Sequence, residues 1–209
     1  MFKFENITRK SDLTNNDSLS MYLNHACQQN HNAFEVFYNF LTEIKPKRIL
    51  EIGTALGGFT SFLKIVSDEN NLDISILSYD IYRREWYDEM IESGIDVRVE
   101  DVFSDNYQSV KQEVIEFIQS EGTTIVLCDG GNKISEFNLL SNYLKKGDYI
   151  LAHDYVHNIE KFEKEINNKI WNWCEITEDD IIESCKINNL LDYNPEIFAS
   201  VVWACKQKK

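Results

Sequence analysis

The stretch from Arg48 to Phe59, R-I-L-E-I-G-T-A-L-G-G-F, constrains the fold more than any other segment. A short apolar run follows Pro46, as expected for a strand buried on both faces. It passes through a glycine-bearing loop into F-T-S-F-L-K-I-V, where Phe59, Phe62, Leu63 and Val66 share one helical face. Strand, glycine loop and helix in that order open a parallel α/β sheet.

The alternation continues downstream. D-I-S-I-L-S-Y-D-I reads as a second strand ending at Asp80, and W-Y-D-E-M-I-E-S as a helix. I-D-V-R-V-E-D is a third strand, N-Y-Q-S-V-K-Q-E-V-I-E-F-I a helix, and T-I-V-L-C-D a strongly apolar fourth strand. A helix over E-F-N-L-L-S-N-Y-L and a turn at Lys146 and Gly147 lead to the fifth strand, D-Y-I-L-A-H-D. In the tail, residues 158 to 170 read as a helix, W-N-W-C-E-I-T as a strand and F-A-S-V-V-W-A-C-K as the last strand. No crossover helix is evident between these two, so they are expected to form an antiparallel pair at one edge. Upstream, residues 1 to 47 read as helical, starting near Ser18 or Ser20, with apolar positions at Met21, Tyr22, Ala26, Phe34, Phe37, Leu41 and Ile44. The expected fold is therefore α/β, a Rossmann-like doubly wound sheet of seven mostly parallel strands. An antiparallel C-terminal edge pair and an N-terminal helical cap complete it. Its 209 residues suit one domain, with residues 1–47 as the cap and 48–209 as the core.

Charge narrows the partners. With 21 Lys and Arg against 35 Asp and Glu, the net charge of −14 repels phosphate backbones and anionic lipid heads. Nucleic acid and membrane are not expected partners, and Lys206, Lys208 and Lys209 read as a solvated tail. The five cysteines are odd in number and form no C-x-x-C pair, which fits reduced thiols, with Cys128 and Cys205 as buried hydrophobes. No apolar run approaches a bilayer span and the first residues lack a signal-peptide core, so a cytoplasmic location is expected.

Open parallel sheets bind ligands beyond the carboxyl ends of their strands. Here those ends carry Glu51 with Gly53, Asp80, Asp101, Asp129 and Asp154. Gly53, Gly57 and Gly58 are spaced G-x-x-x-G-G, which departs from the G-x-G-x-x-G dinucleotide fingerprint. That spacing behind Glu51 fits a methionine-bearing sulfonium cofactor, S-adenosylmethionine, better than a diphosphate. Asp80 is positioned to accept both ribose hydroxyls. Asp101, followed by Val102, either holds the adenine amino group or simply caps a turn. The cofactor set read from the sequence is Glu51, Gly53, Thr54, Gly57, Gly58, Asp80, Ile81, Asp101, Val102 and Asp129.

These motifs resemble those of class I S-adenosylmethionine-dependent methyltransferases. The segment L-C-D-G-G-N-K-I-S-E-F-N-L-L-S-N-Y-L-K-K-G-D-Y-I-L-A-H-D is similar to the small cephalosporin hydroxylase-like and macrocin O-methyltransferase-like group, and the likeness extends over about residues 30 to 156. The resemblance implies O-methylation of a small-molecule hydroxyl. It also implies Mg²⁺ at strand-end acids, here Asp129 and Asp154, although Asn132 and Tyr155 stand where related enzymes carry a histidine and an asparagine. Mg²⁺ and a metal-free site therefore both stay open. Lys133, one residue later than the lysine of catechol-type enzymes, and His153 or His157 are the candidate bases, with Trp171 and Trp173 either lid or core. A cofactor-binding module without methyl transfer and an NAD-linked oxidoreductase are the rival readings. The acceptor and the oligomeric state are not legible.

Overall fold

The computed structural model describes residues 7–9, 20–22, 25–104 and 106–209. Five parallel strands form the centre of the sheet: β1 (Arg48–Ile52), β2 (Ser75–Asp80), β3 (Asp96–Val99), β4 (Thr124–Cys128) and β5 (Tyr149–His153). Two more, β6 (Leu190–Asp192) and β7 (Trp203–Lys208), complete the order β6-β7-β5-β4-β1-β2-β3, with β7 antiparallel to both β5 and β6. The chain winds outward from β1 to β3, then returns to place β4 on the other side of β1. That reversal opens a crevice between β1 and β4.

Helices α1 (Ala33–Ile44), α2 (Gly58–Glu69), α3 (Tyr87–Glu92) and α7 (Pro195–Ala199) cover one face, and α4 (Gln112–Gln119), α5 (Lys133–Leu140) and α6 (Glu178–Ile187) the other. Central strands are mostly apolar because both faces are covered; all five residues of β4 and all five of β5 are buried. On the first face, α1 buries Phe34, Phe37, Phe40 and Leu41, the spacing of a single helical stripe. Phe37 sits at the junction, with its ring 4.9 Å from Phe59, 5.1 Å from Trp203 and 5.9 Å from Phe198. Lys45 ends α1 in left-handed backbone, returning its N–H to Leu41, one residue before Pro46 forbids further helix.

The seven-stranded sheet, its antiparallel C-terminal edge and its helical layers follow the sequence reading, but the edge pair is β6 with β7 and not W-N-W-C-E-I-T with the last strand, and several boundaries differ. Among the described residues of the preface, only Ala33–Ile44 is helical; Ile7–Arg9, Ser20–Tyr22 and His25–Cys27 are short antiparallel strands, and Ser18 lies outside the described residues. Three-residue strands are too short for period-two alternation to stand out from helical spacing. Nor is α1 a cap over a pocket, because it packs into the core layer. The stretch 106–118 divides into a hairpin strand, Ser109–Val110 against Phe103–Ser104, followed by α4. Residues 159–166 form one short turn of α-helix continuing as π-helix. A helix does separate the last strands: α6, opened by the Thr177 and Asp180 capping box, stands between Ile176–Thr177, which pairs with Tyr155–Val156 outside the main sheet, and β6. The last strand begins only at Trp203, since Pro195 starts α7.

Lys206 is not part of a solvated tail. It is buried, with Nζ 2.8 Å from Glu178 and 2.6 Å from Asp192, and so ties β7 to α6 and β6. Among the described residues, no helix is long and apolar enough to cross a membrane. Cys128 and Cys205 are buried, as expected of small hydrophobes.

Because Phe37 joins α1, α2, α7 and β7, Phe37→Ala is expected to destabilise the protein by ~3–5 kcal/mol, read as a lower denaturation midpoint in urea.

Candidate functional site

The loop leaving β1 is shaped by backbone that side chains rarely allow. Gly53 has φ 96° and Gly57 φ 78°. A Cβ on Gly53 would stand 2.2 Å from the Asp129 carbonyl oxygen, so only glycine lets the ends of β1 and β4 meet. Gly58 is equally confined: a Cβ there would lie 2.3 Å from Cys27 Sγ and 2.6 Å from the Ala26 carbonyl, which puts the His25–Cys27 strand directly over the start of α2. Asp80, at the end of β2, holds the loop by accepting Ala55 N–H at 2.7 Å, and its other oxygen accepts Tyr82 N–H at 2.9 Å.

Glu51 is buried under this loop, accepting hydrogen bonds from Thr60 Oγ1 at 2.6 Å and from Ser78 Oγ. Thr54 joins the same network, 2.6 Å from Ser78. Burial outweighs these hydroxyls and raises the Glu51 carboxyl to about 7.

Beyond the strand ends lies a cavity of about 470 Å³. It brings together Gly53, Asp80, Ile81, Asp101, Val102, Asp129, Lys133, His153 and Asp154 from the expected set. Glu51, Thr54, Gly57 and Gly58 line instead an adjoining crevice of about 30 Å³, shared with Gly53 and Asp129 and bordered by Ala26 to Gln29. Asp101 accepts Phe103 N–H at 2.9 Å, the turn-capping contact, while remaining on the cavity wall. His157 is exposed and outside the cavity lining. Trp171 and Trp173 both line it; Trp171 is buried and Trp173 stands partly exposed at the rim.

At the β4 and β5 end, charge is concentrated around Lys133, the first residue of α5. The helix start is fixed by Asn132, whose side chain accepts Ser135 N–H. From there Nζ reaches Glu175 Oε2 at 2.7 Å, Asp154 Oδ2 at 3.0 Å, the Gly130 carbonyl at 3.1 Å and Asp129 Oδ1 at 3.8 Å. Burial alone would favour a neutral amine, but Asp129, Asp154 and Glu175 together push the lysine up, so it is held as an ammonium and not as a proton acceptor. Asp154 sits in left-handed backbone at φ 55°. Its carboxyl also accepts Trp171 Nε1, and His153 and Lys133 lower it against the effect of burial.

His153 is buried, stacked on Trp203 at 4.8 Å and tilted against Trp171 at 5.1 Å. Its Nδ1 lies 2.9 Å from Asp129 Oδ1, and Nε2 is buried without a partner. Burial lowers its pKa, yet Asp129 and Asp154 more than reverse this and raise it. The imidazole thus orients Asp129 through Nδ1. Asp129, His153 and Asp154 have ligand atoms within 4.8 Å of one another, close enough to share a cation.

Three site residues escaped the sequence reading. Gln29 donates to Asp129 Oδ2 at 2.7 Å and accepts from Trp203 Nε1 at 2.9 Å. Glu136 is buried, accepts Gly130 N–H at 3.1 Å and Asn132 N–H at 3.0 Å, and is raised to about 7 by burial. Glu175 meets Lys133. Gln29 carries no local signal. Glu136 had one, since an acid in the first turn of a helix after G-G is placed to cap the loop's amides.

Sheet order, glycine loop and acidic strand ends define a Rossmann-like S-adenosylmethionine-dependent methyltransferase. More narrowly, the chain belongs to the rhamnosyl O-methyltransferase/CmcI family, whose model matches residues 17–189. No curated protein matches it. Among solved structures, CmcI in its N160 apo form is similar at 13% identity and TM-score 0.63, over 90% of this chain and 76% of that one. CmcI-D160 solved with Mg and S-adenosylmethionine shares 14% identity and TM-score 0.58, over 87% and 73%. A caffeoyl-CoA O-methyltransferase-like protein from Staphylococcus aureus shares 13% identity and TM-score 0.54, over 84% and 82%.

Glu51 generates a pH prediction. Its folded pKa, about 7, exceeds the ordinary 4.5, so the native state holds the extra proton and stability falls as pH rises from 4.5 through 7. Glu51→Gln should flatten the melting temperature profile between pH 5 and 8, removing up to ~1.4 kcal/mol per pH unit of slope.

Proposed function

We propose that the chain transfers the methyl group of S-adenosylmethionine to a hydroxyl oxygen of a small molecule such as a sugar, a phenol or a natural product. The observation that carries this reading is the continuity of one cavity from Asp80 and Asp101 at one end to Lys133, Asp154 and Glu175 at the other. Its volume lies in the range of small-molecule sites. The wall carries Asp80, Glu100, Asp101, Asp129, Glu136, Asp154 and Glu175 against Arg84 and Lys133, an acidic surround that suits a sulfonium cation.

S-adenosylmethionine supplies a methyl group on a positively charged sulfur, open to displacement by oxygen. On the protein side, Asp80 holds the ribose hydroxyls, Asp101 and Val102 meet the adenine edge, and Ile81 covers its face. Glu51, Gly53, Thr54, Gly57 and Gly58 bound the methionine end, with Asp129 between the two compartments. Alignment of donor and acceptor provides most of the rate. Lys133, kept as an ammonium, offsets by its charge the negative charge that develops on the acceptor oxygen as its proton leaves. Glu175, whose side chain is 47% exposed and the most open of the carboxylates around Nζ, takes that proton. His153 acts through Asp129 as a positioning residue.

S-adenosylhomocysteine is expected to raise the melting temperature by binding the folded state preferentially. Asp80→Ala, confirmed folded by circular dichroism, should weaken that binding by at least about tenfold. Glu175→Gln should preserve it while slowing methyl transfer from labelled donor to a responsive hydroxyl by roughly 10²-fold. Wild-type protein that fails to bind S-adenosylhomocysteine would sink the reading.

A further inference from the structure

The charged end of the cavity contains its own cation. Four oxygens surround Lys133 Nζ within 3.8 Å, from Glu175, Asp154, Gly130 and Asp129, and the lysine side chain is only 6% exposed. An ammonium has three protons, which Glu175, Asp154 and the Gly130 carbonyl accept. This is no surface lysine that has folded inward. It is the first residue of α5, held by the Asn132 cap and entering the cluster from the helix start.

The other carboxylate contacts leave little for a hard divalent ion. Asp129 accepts from Gln29 through one oxygen and pairs with His153 through the other, and Asp154 Oδ1 accepts from Trp171. Magnesium demands near-octahedral coordination by oxygens at about 2.0–2.1 Å and retains several waters. Here the third member of the close group is an imidazole, suited to softer metals. Seating Mg²⁺ between Asp129 and Asp154 would require expelling the ammonium, since two like charges cannot share that space without strong repulsion. The donor set present therefore does not fit the metal that the sequence left open.

We propose that the Lys133 ammonium is the resident cation of this cluster, standing in place of a divalent metal, so that the enzyme works without Mg²⁺. The proposal rests on the reading of this cavity as the methyl-transfer site, because only there does a cation beside the acceptor oxygen have a chemical role. It also follows that removing the lysine's charge leaves Asp129, Asp154 and Glu175 without a counter-charge, across an open space in Lys133→Ala and beside an uncharged thioether in Lys133→Met, and a small divalent ion becomes the natural replacement.

Mn²⁺ binding to chelator-stripped protein, followed by the electron paramagnetic resonance signal of free Mn²⁺, tests this apart from catalysis. Wild type should show no saturable binding through the millimolar range, and EDTA should change neither its melting temperature nor its affinity for S-adenosylhomocysteine. Lys133→Ala and Lys133→Met should each gain a single saturable Mn²⁺ site, and Mg²⁺ should raise their melting temperatures while leaving that of wild type unmoved. Saturable Mn²⁺ binding by wild type, or EDTA-sensitive stability, overturns the proposal. So does a folded pair of variants that binds no Mn²⁺. If neither variant folds, the two wild-type measurements decide alone. Loss of S-adenosylhomocysteine binding by untreated wild type would instead strike the methyltransferase reading, leaving the Mn²⁺ result to stand separately.

Discussion

The contact between the ends of β1 and β4 governs the rest of the molecule. Asp129 N–H donates to the Ile52 carbonyl at 2.9 Å, and Gly53 turns away at φ 96° with no room for a Cβ against the Asp129 carbonyl. A parallel sheet that reverses its winding must leave a crevice at that point. In this chain the crevice walls are two backbones brought as close as backbone can come. Everything placed there, from the buried Glu51 network to the orientation of Asp129, inherits its position from that approach. Ala55, Gly57 and Asp154 at the same rim also adopt positive φ.

Charge is partitioned along the cavity in keeping with this geometry. Next to the glycine loop, carboxylates meet neutral donors: Thr60 and Ser78 at Glu51, and the amides of Ala55 and Tyr82 at Asp80. Near β5 they meet cationic or aromatic N–H donors, Lys133, His153 and Trp171. The first arrangement leaves acidity to meet a cationic ligand. The second neutralises it internally, so that an uncharged hydroxyl can approach without facing several bare carboxylates. A protein of net charge −14 needs such a division if one pocket is to hold both a sulfonium donor and a neutral acceptor.

Much of this was legible in the sequence because the central strands announce themselves. Runs such as T-I-V-L-C and Y-I-L-A-H are apolar at nearly every position with no alternation, the pattern of strands covered on both faces, and the acids that end them stand where ligands bind in such sheets. What stayed hidden depends on contacts across long sequence distance. Gln29 meets Asp129 a hundred residues away, and Glu175 meets Lys133 at a separation of 42. Neither residue sits in a motif. Helix α6 was missed for a different reason: E-D-D-I-I-E-S-C-K-I buries only Ile181 and Cys185, too narrow a stripe to outweigh the strand-like run before it.

The same long-range contacts explain why the order of motifs identifies a methyl donor more readily than an acceptor. In the proposed reading, donor recognition uses groups at the ends of β1, β2 and β4, each fixed by a neighbouring strand. The acceptor end is assembled from elements that pair outside the sheet. Tyr155 turns away to donate to Glu178 at 2.7 Å, Trp171 swings back onto Asp154, and Glu175 arrives from the segment beside Ile176–Thr177. Because Tyr155 is buried in the core, the chain between β5 and α6 is held in a path that presents Glu175 to Lys133. A residue that looked like a missing ligand is thus one of the supports that set the cluster's geometry.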